Sequence, residues 1–265
     1  MRRLCALLAV VAGCSGFVVA QQLPSIVDVY SSGQAADRQG LGPTGDPAEV
    51  LDRFLERMQG TERVRYDVHV AYQGEPKTTL IEARGTVTLG KSPLGVFNRF
   101  RIDVTGEVPD GGTLDATVGS TGSGYYLMDR QRRTITEFDA WDESTPVGRL
   151  VLHMLITGPD GDWLHSAADR APVLLDSSMD DTDPRYTVHF VDVVRGEHLY
   201  VALSQQDMLP RSIERVTLGA DGRPSIVSTR FINLRLEPRT PDEFFAPVVP
   251  DGFRRVGREH AEPAD

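Results

Sequence analysis

Thiol chemistry is missing from almost the whole chain. Cys5 and Cys14 are its cysteines and both lie at the extreme N-terminus. The remainder therefore holds no disulfide framework, no cysteine metal site and no cysteine nucleophile. Lysine is scarce too: Lys77 and Lys91 stand alone, and arginine carries nearly all the positive charge. We read that bias as genome composition rather than as a site. The net charge is −10. A chain this acidic has no basic footprint for nucleic acid and is repelled by anionic lipid surfaces. Its 265 residues, 40% hydrophobic and 25% charged, are ordinary for a globular protein and allow one large all-β domain or two small ones.

What is present begins with an export address. "MRRLCALLAVVAGCSGFVVAQQ" opens on Arg2 and Arg3, runs apolar from Leu4, and reaches Val18-Val19-Ala20 before Gln21. That is the charged, apolar and small-residue order of a secretory signal peptide over residues 1–20. The apolar run is too short and too broken by small residues for a strong membrane span. Val11-Ala12-Gly13-Cys14 also has the form of a bacterial lipobox, so lipid attachment at Cys14 is the alternative to cleavage after Ala20. The expected location is periplasmic, either free or anchored through Cys14. Residues 21–45, rich in Gln, Ser, Gly and Asp, read as a flexible leader or tether.

Asp46-Pro47-Ala48-Glu49 then opens a helix, with Asp46 as cap, Pro47 at the first helical position and Glu49 completing a capping box. Val50, Leu51, Phe54, Leu55 and Met58 form its apolar stripe and Gly60 ends it. Strands follow. In "VRYDVHVAYQ", Val64, Tyr66, Val68, Val70 and Tyr72 alternate with Arg65, Asp67 and His69. Ile81, Ala83, Val87 and Leu89 repeat the pattern, as do Phe100, Ile102 and Val104. Strict alternation predicts antiparallel strands with one apolar and one wet face. Further strands are expected near 113–118, 124–129, 133–138, 172–176, 185–194, 197–205, 211–218 and 224–236. Turns are expected at Gly122-Ser123-Gly124, Asp207 to Pro210 and Asp221-Gly222. One interruption stands out. Thr145-Pro146 starts a helix and Gly158-Pro159 stops it. Between them Leu150, Val151, Leu152, Met154, Leu155 and Ile156 leave only Arg149, His153 and Thr157 as a polar stripe. Such a helix needs cover on more than one side, as an ordinary core helix or as a lid over a lipid-sized cavity. A second short helix, about 161–168, would add Trp163 and Leu164.

Catalytic and metal signatures are weak. His69, His153, His165, His189, His198 and His260 are scattered without a helical zinc spacing. "GSTGSG" (119–124) lacks the P-loop lysine and the nucleophile-elbow spacing, and reads as a hairpin turn. "DSSMDDTDP" (176–184) lacks the glycine and glutamate of an EF-hand and reads as a solvated loop. Nothing places two carboxylates in one cleft. No cofactor, no metal and no catalysis are expected.

The C-terminal half carries a resemblance. "EHLYVALSQQDMLPRSIERVTL", two strands about a "D…LP" turn, and "STRFINLRLEPRTPDEFFAPVVPDGF", a last long strand and a "P-D-x-x-F…P-x-G" ending, resemble LolA/LolB-like periplasmic proteins. The first helix with "VRYDVHVAY" and the later "GSGYYLMDRQRRTITEFD" fit the same order, over residues 46–254. The resemblance implies a mainly β (α+β) fold: a curved, unclosed antiparallel barrel of about eleven strands with helices plugging the open side. Residues 255–265 would be a disordered polar tail, and Phe244 and Phe245 would fold back to seal the end of the sheet. It also implies a cavity for a lipid or a lipoprotein acyl chain, and hence a carrier or chaperone. The residues expected to face that cavity, from the shared apolar face and the lid, are Val68, Val70, Tyr72, Ile81, Phe100, Ile102, Leu152, Leu155 and Trp163. For each, plain core packing is the alternative. The same fold also serves envelope sensors that bind a regulatory membrane partner, and that is the alternative function. A hydrolase on a β scaffold is a third.

Overall fold

Asp46 opens the first helix, α1 (Pro47–Gln59), by accepting a hydrogen bond from the Ala48 amide at 2.9 Å. The bond is made one residue earlier than a capping box would make it. Val50, Leu51, Phe54 and Met58 of α1 are buried, as their spacing predicts. The computed structural model describes residues 46–73, 82–107, 113–142, 145–156, 173–178, 182–192, 196–218, 224–237 and 240–256. The expected signal peptide, leader and Cys14 lie outside them, as do Ile81, the 161–168 helix with Trp163, and the Asp221-Gly222 turn.

The strands are β1 (Arg63–Gln73), β2 (Glu82–Gly90), β3 (Arg99–Glu107), β4 (Thr113–Thr121), β5 (Tyr125–Asp129) and β6 (Thr134–Phe138). After helix α2 (Pro146–Met154) come β7 (Val173–Ser178), β8 (Arg185–Asp192), β9 (Glu197–Ser204), β10 (Pro210–Leu218), β11 (Pro224–Glu237) and β12 (Arg254–Val256). They form one sheet in the order β12-β6-β5-β4-β3-β2-β1-β11-β10-β9-β8-β7. The chain meanders outward from β1 to β6, crosses through α2 to the far edge at β7, and meanders back until β11 pairs with β1. The result is the curved, unclosed antiparallel sheet with helical cover that the sequence predicts.

Three details differ. Among the described residues the sheet has twelve strands, because Arg254–Val256 adds a short parallel edge to β6 that takes in Arg255 and Val256 from the expected polar tail. β7 runs to Ser178, so Asp176, Ser177 and Ser178 belong to a strand rather than to a loop. Helix α2 stops at Met154, with Leu155 already extended.

Alternation sorts the sheet into two faces. The inner face holds Val64, Tyr66, Val68, Val70, Ala83, Val87, Leu89, Phe100, Ile102, Val104 and Val118 from the first meander. Leu199, Val201, Leu203, Ile213 and Phe231 come from the second, and all of these join the helices in one buried cluster. The outer face carries a second, smaller set: Tyr126, Met128, Ile135 and Phe245 are buried outside that cluster. Gly90 makes room for it. A Cβ there would stand 2.6 Å from the Phe245 ring. The segment Thr240–Val256 crosses this face like a strap, with a 3-10 turn at Asp242–Phe245. Asp242 is ion-paired to Arg63 at 2.8 Å and also to Arg99. The Arg63 and Arg101 guanidinium groups lie 5.2 and 5.3 Å from the centres of the Phe245 and Phe244 rings. The proline-fenced phenylalanines thus fold back over the outer face where β1 starts and β2 ends.

Candidate functional site: the inner face beneath α2

Helix α2 starts because Thr145 caps it, its hydroxyl accepting from the Gly148 amide at 3.0 Å. That hydroxyl also donates to the Asp142 carbonyl at 2.9 Å, folding the preceding chain tightly over the first turn. A side chain at position 148 has no room: its Cβ would lie 1.9 Å from the Asp142 oxygen. Leu150, Val151, Met154, Leu155 and Ile156 are at most 1% exposed. From Leu150 to Met154 the helix is covered around its circumference, as a helix apolar nearly all round requires, and Arg149 in its first turn is exposed.

The helix is tied to the sheet at its C-terminal end. The Tyr66 hydroxyl, on β1, donates to the Met154 carbonyl at 2.9 Å and accepts from the Ile156 amide at 3.2 Å. Thr229, on the neighbouring strand β11, donates to the His153 carbonyl at 3.1 Å. These two side chains satisfy backbone groups that the end of a helix leaves open. Burial holds the Tyr66 hydroxyl well above the usual tyrosine range, so it stays a protonated donor. Neither residue is among those expected to face the cavity, yet both stand in the apolar phase of their strands. A hydroxyl in an apolar phase is the signal that marks them.

The predicted cavity residues divide accordingly. Val68, Val70, Phe100, Ile102, Leu152 and Leu155 are buried in or against the inner face, five of the six at 2% exposure or less. Tyr72 is half-buried and meets the His153 ring edge-on at 5.7 Å. His153, expected on the polar stripe of the helix, is itself buried. Ile81 and Trp163 lie outside the described residues. A water-sized space beside a side chain would show as exposed surface, so the five at 2% or less pack directly on their neighbours, while Leu152 keeps 8% of its surface open. At the β5–β6 end, Tyr125, Phe138 and Trp141 continue the apolar face from Phe100, with ring centres 5.5–6.2 Å apart.

A charged pair stands in the same face. Arg215, 5% exposed, alternates inward with Ile213 on β10 and faces Glu197 at 4.0 Å. As with Tyr66, only its phase distinguishes it: it looks like one more arginine until its place in the alternation is counted. On the outer face the sheet joins two histidines that the sequence scatters. His189 and His198, on β8 and β9, lie 3.1 Å apart nitrogen to nitrogen, with the Tyr200 ring 4.6 Å from His189. Burial and the neighbouring imidazole hold His189 below the usual histidine range. Among the described residues no three His, Cys, Asp or Glu side chains converge as metal ligands.

Comparison with known proteins adds likenesses of fold. No family model matches the chain, and no curated protein matches it in sequence. Solved structures do. LprF from Mycobacterium bovis is 12% identical, with 80% of this chain and 99% of that one covered, at a TM-score of 0.46. An uncharacterized conserved protein from Thermus thermophilus is 11% identical, covering 79% and 98%, also at 0.46. In the MucA/MucB complex of Pseudomonas aeruginosa the values are 12%, 77% and 62%, at 0.40. This chain therefore spans less than two thirds of that last one. The topology of this chain itself is an outward meander, a helical crossover, an inward meander and an open edge.

Proposed function

We propose that this is an exported, non-catalytic protein of the cell envelope that accepts an acyl chain, of a lipid or a lipoprotein, between the inner face and α2. The observation that supports the reading is the helix itself. Its hold on the sheet is apolar contact plus the hydroxyl bonds from Tyr66 and Thr229. Six buried apolar side chains from Leu150 to Ile156, at about 1.5–3 kcal/mol each, amount to on the order of 10 kcal/mol. A chain of about sixteen methylenes at roughly 0.8 kcal/mol each offers a similar sum before ordering costs. Helix and guest are therefore near-equal competitors for one apolar surface, and a guest can enter by lifting the helix. Val68, Val70, Tyr72, Phe100 and Ile102 would then line the occupied space.

Native mass spectrometry of protein purified from its host's envelope tests this. Co-purified lipid, and binding of a hydrophobic fluorescent probe that fatty acid displaces, are the expected results. Failure of both overturns the reading. A stoichiometric protein partner without lipid would instead mark an envelope sensor.

A further inference from the structure

The inner face changes character along its strands. One row across it runs Val70, Thr229, Ile213 and Val201, on β1, β11, β10 and β9. Thr229 ties α2 down at this row. Side chains return to one face of a strand at every second residue. The next row on the same face is therefore Tyr72, Val227, Arg215 and Leu199. The row after that is polar throughout, with Ser225, Thr217 and Glu197. The apolar trough thus opens into a polar mouth, and Tyr72 and Arg215 stand at the changeover with Val227 between them. Helix α2 reaches the same place. His153 meets Tyr72 edge-on at 5.7 Å, and the exposed Arg149 lies one helical turn before His153 on the same side of the helix. Glu197 faces Arg215 at 4.0 Å, but it stands on β9, on the far side of Arg215 from Tyr72. Burial pushes the Tyr72 hydroxyl above the usual tyrosine range, and the charges of Arg149 and Arg215 pull it part of the way back. Among the described residues, the charges that act on this hydroxyl are both positive.

We infer that the guest accepted beneath α2 carries an anionic head group, a carboxylate or a phosphate, seated at Tyr72 with Arg149 and Arg215. The inference rests on the acyl-chain reading and says which lipid that reading takes. An amphiphile lying in the trough has its chain on the apolar rows and its head where the face turns polar. There a guanidinium group offers a planar fork of N–H donors that fits a carboxylate or a phosphate with two parallel bonds. The Tyr72 hydroxyl adds a neutral donor beside them. Arg215 belongs to the sheet and Arg149 to the helix, so an anion that engages both ties a lifted α2 to the sheet again. An alcohol or an ester at the same position gains no bond between opposite charges, and an ammonium head is repelled by both arginines.

Displacement of an uncharged hydrophobic fluorescent probe from the purified protein at neutral pH tests it. Dodecanoate, dodecyl phosphate and dodecanol share one chain length and differ at the head. At least one of the two anions should displace the probe at a concentration about tenfold below dodecanol, as a hydrogen bond to a charged group allows. The better of the two identifies the head as carboxylate or phosphate. Arg149→Gln, at an exposed position, should cut the preference several-fold and leave dodecanol unchanged. Tyr72→Phe should also reduce it, by removing one donor. Arg215→Gln combined with Glu197→Gln removes the charge of the sheet together with the carboxylate that faces it, and should abolish most of the preference. Equal displacement by the anions and the alcohol overturns the inference and leaves the acyl-chain reading standing. A preference for the anions that survives all three variants overturns it as well, because the charge is then read elsewhere. If the probe does not bind, or none of the three ligands displaces it, the inference falls together with the reading it rests on.

Discussion

The two faces of the sheet are both covered, but by opposite means. On the inner face α2 lies on apolar side chains and is tied down by hydroxyls of Tyr66 and Thr229. On the outer face the Thr240–Val256 strap is held by directional, charged contacts. Asp242 bridges Arg63 and Arg99, Arg255 reaches Glu137 at 3.4 Å, and the end of the strap pairs with β6. Apolar contact is non-directional, so another apolar group of similar area can replace it. A bridged carboxylate and a strand register cannot be replaced by a guest in that way. On the proposed function, the difference separates a cover that stays from one that a guest can exchange.

The largest expected effect breaks the outer cover. Phe245 is 1% exposed, over Gly90 and beneath Arg63. Phe245→Ala empties that site and should cost about 3–4 kcal/mol, read from the urea midpoint. Because the strap and α2 lie on opposite faces of the sheet, affinity for a hydrophobic probe should be unchanged in the folded protein. A change in probe affinity would mean that the two covers are coupled and the comparison fails.

Next comes the inner tie. Tyr66→Phe keeps the ring but leaves the Met154 carbonyl and Ile156 amide unpaired in the core, at about 2 kcal/mol. Thr229→Val strands only the His153 carbonyl and should cost about 1 kcal/mol. Here stability and binding should move in opposite directions. Each loosened helix should bind the probe more tightly than the unaltered protein does, in the order Tyr66→Phe, then Thr229→Val. If both variants lose stability with no gain in probe affinity, α2 is a fixed core helix.

How much of this can be read from the chain alone follows from what sets each feature. Alternation at Val64–Tyr72 and Phe100–Val104 determines which residues face inward, because a one-residue slip would turn the whole apolar set to water. The circumferential apolarity of Leu150–Ile156 likewise requires cover on every side. Pairings across long loops are not legible. Nothing in "EHLYV" or "YTVHF" says that His198 will meet His189, since register is settled by turns and by neighbouring strands. The strap is half legible. Its prolines mark where β11 must stop, but the partners of Asp242 lie on β1 and β3, far away in sequence. Tyr66, Thr229 and Arg215 carry a signal only when polar groups are counted in the same phase as the apolar residues around them. Ile81 and Trp163 stand outside the described residues, so that part of the expected cavity remains an expectation.

The smallest effect sharpens the comparison through pH. The Asp242 carboxyl is held below the ordinary value of 3.8, first by its hydrogen bond from Arg99 and then by the charges of Arg99 and Arg63. A carboxyl lowered in the folded state binds its proton more readily once the chain unfolds. Its contribution is therefore complete above the ordinary value and is lost as pH falls through the folded one. Asp242→Asn keeps an oxygen for the arginines but removes the charge. The variant should be modestly less stable at neutral pH, and its deficit should shrink as pH drops below 3.8, when the unaltered protein becomes protonated too. Asp67, Glu82 and Asp183 are also held low, but both proteins share them, so the difference between the two urea midpoints isolates Asp242. The tie of α2 to the sheet is a hydroxyl and not a bridged carboxylate. The hydroxyl that ties α2 is held above the usual tyrosine range, so probe affinity should stay flat over the same acid range in both proteins. A deficit that persists or grows on acidification would show that the bridge is not what fastens the strap.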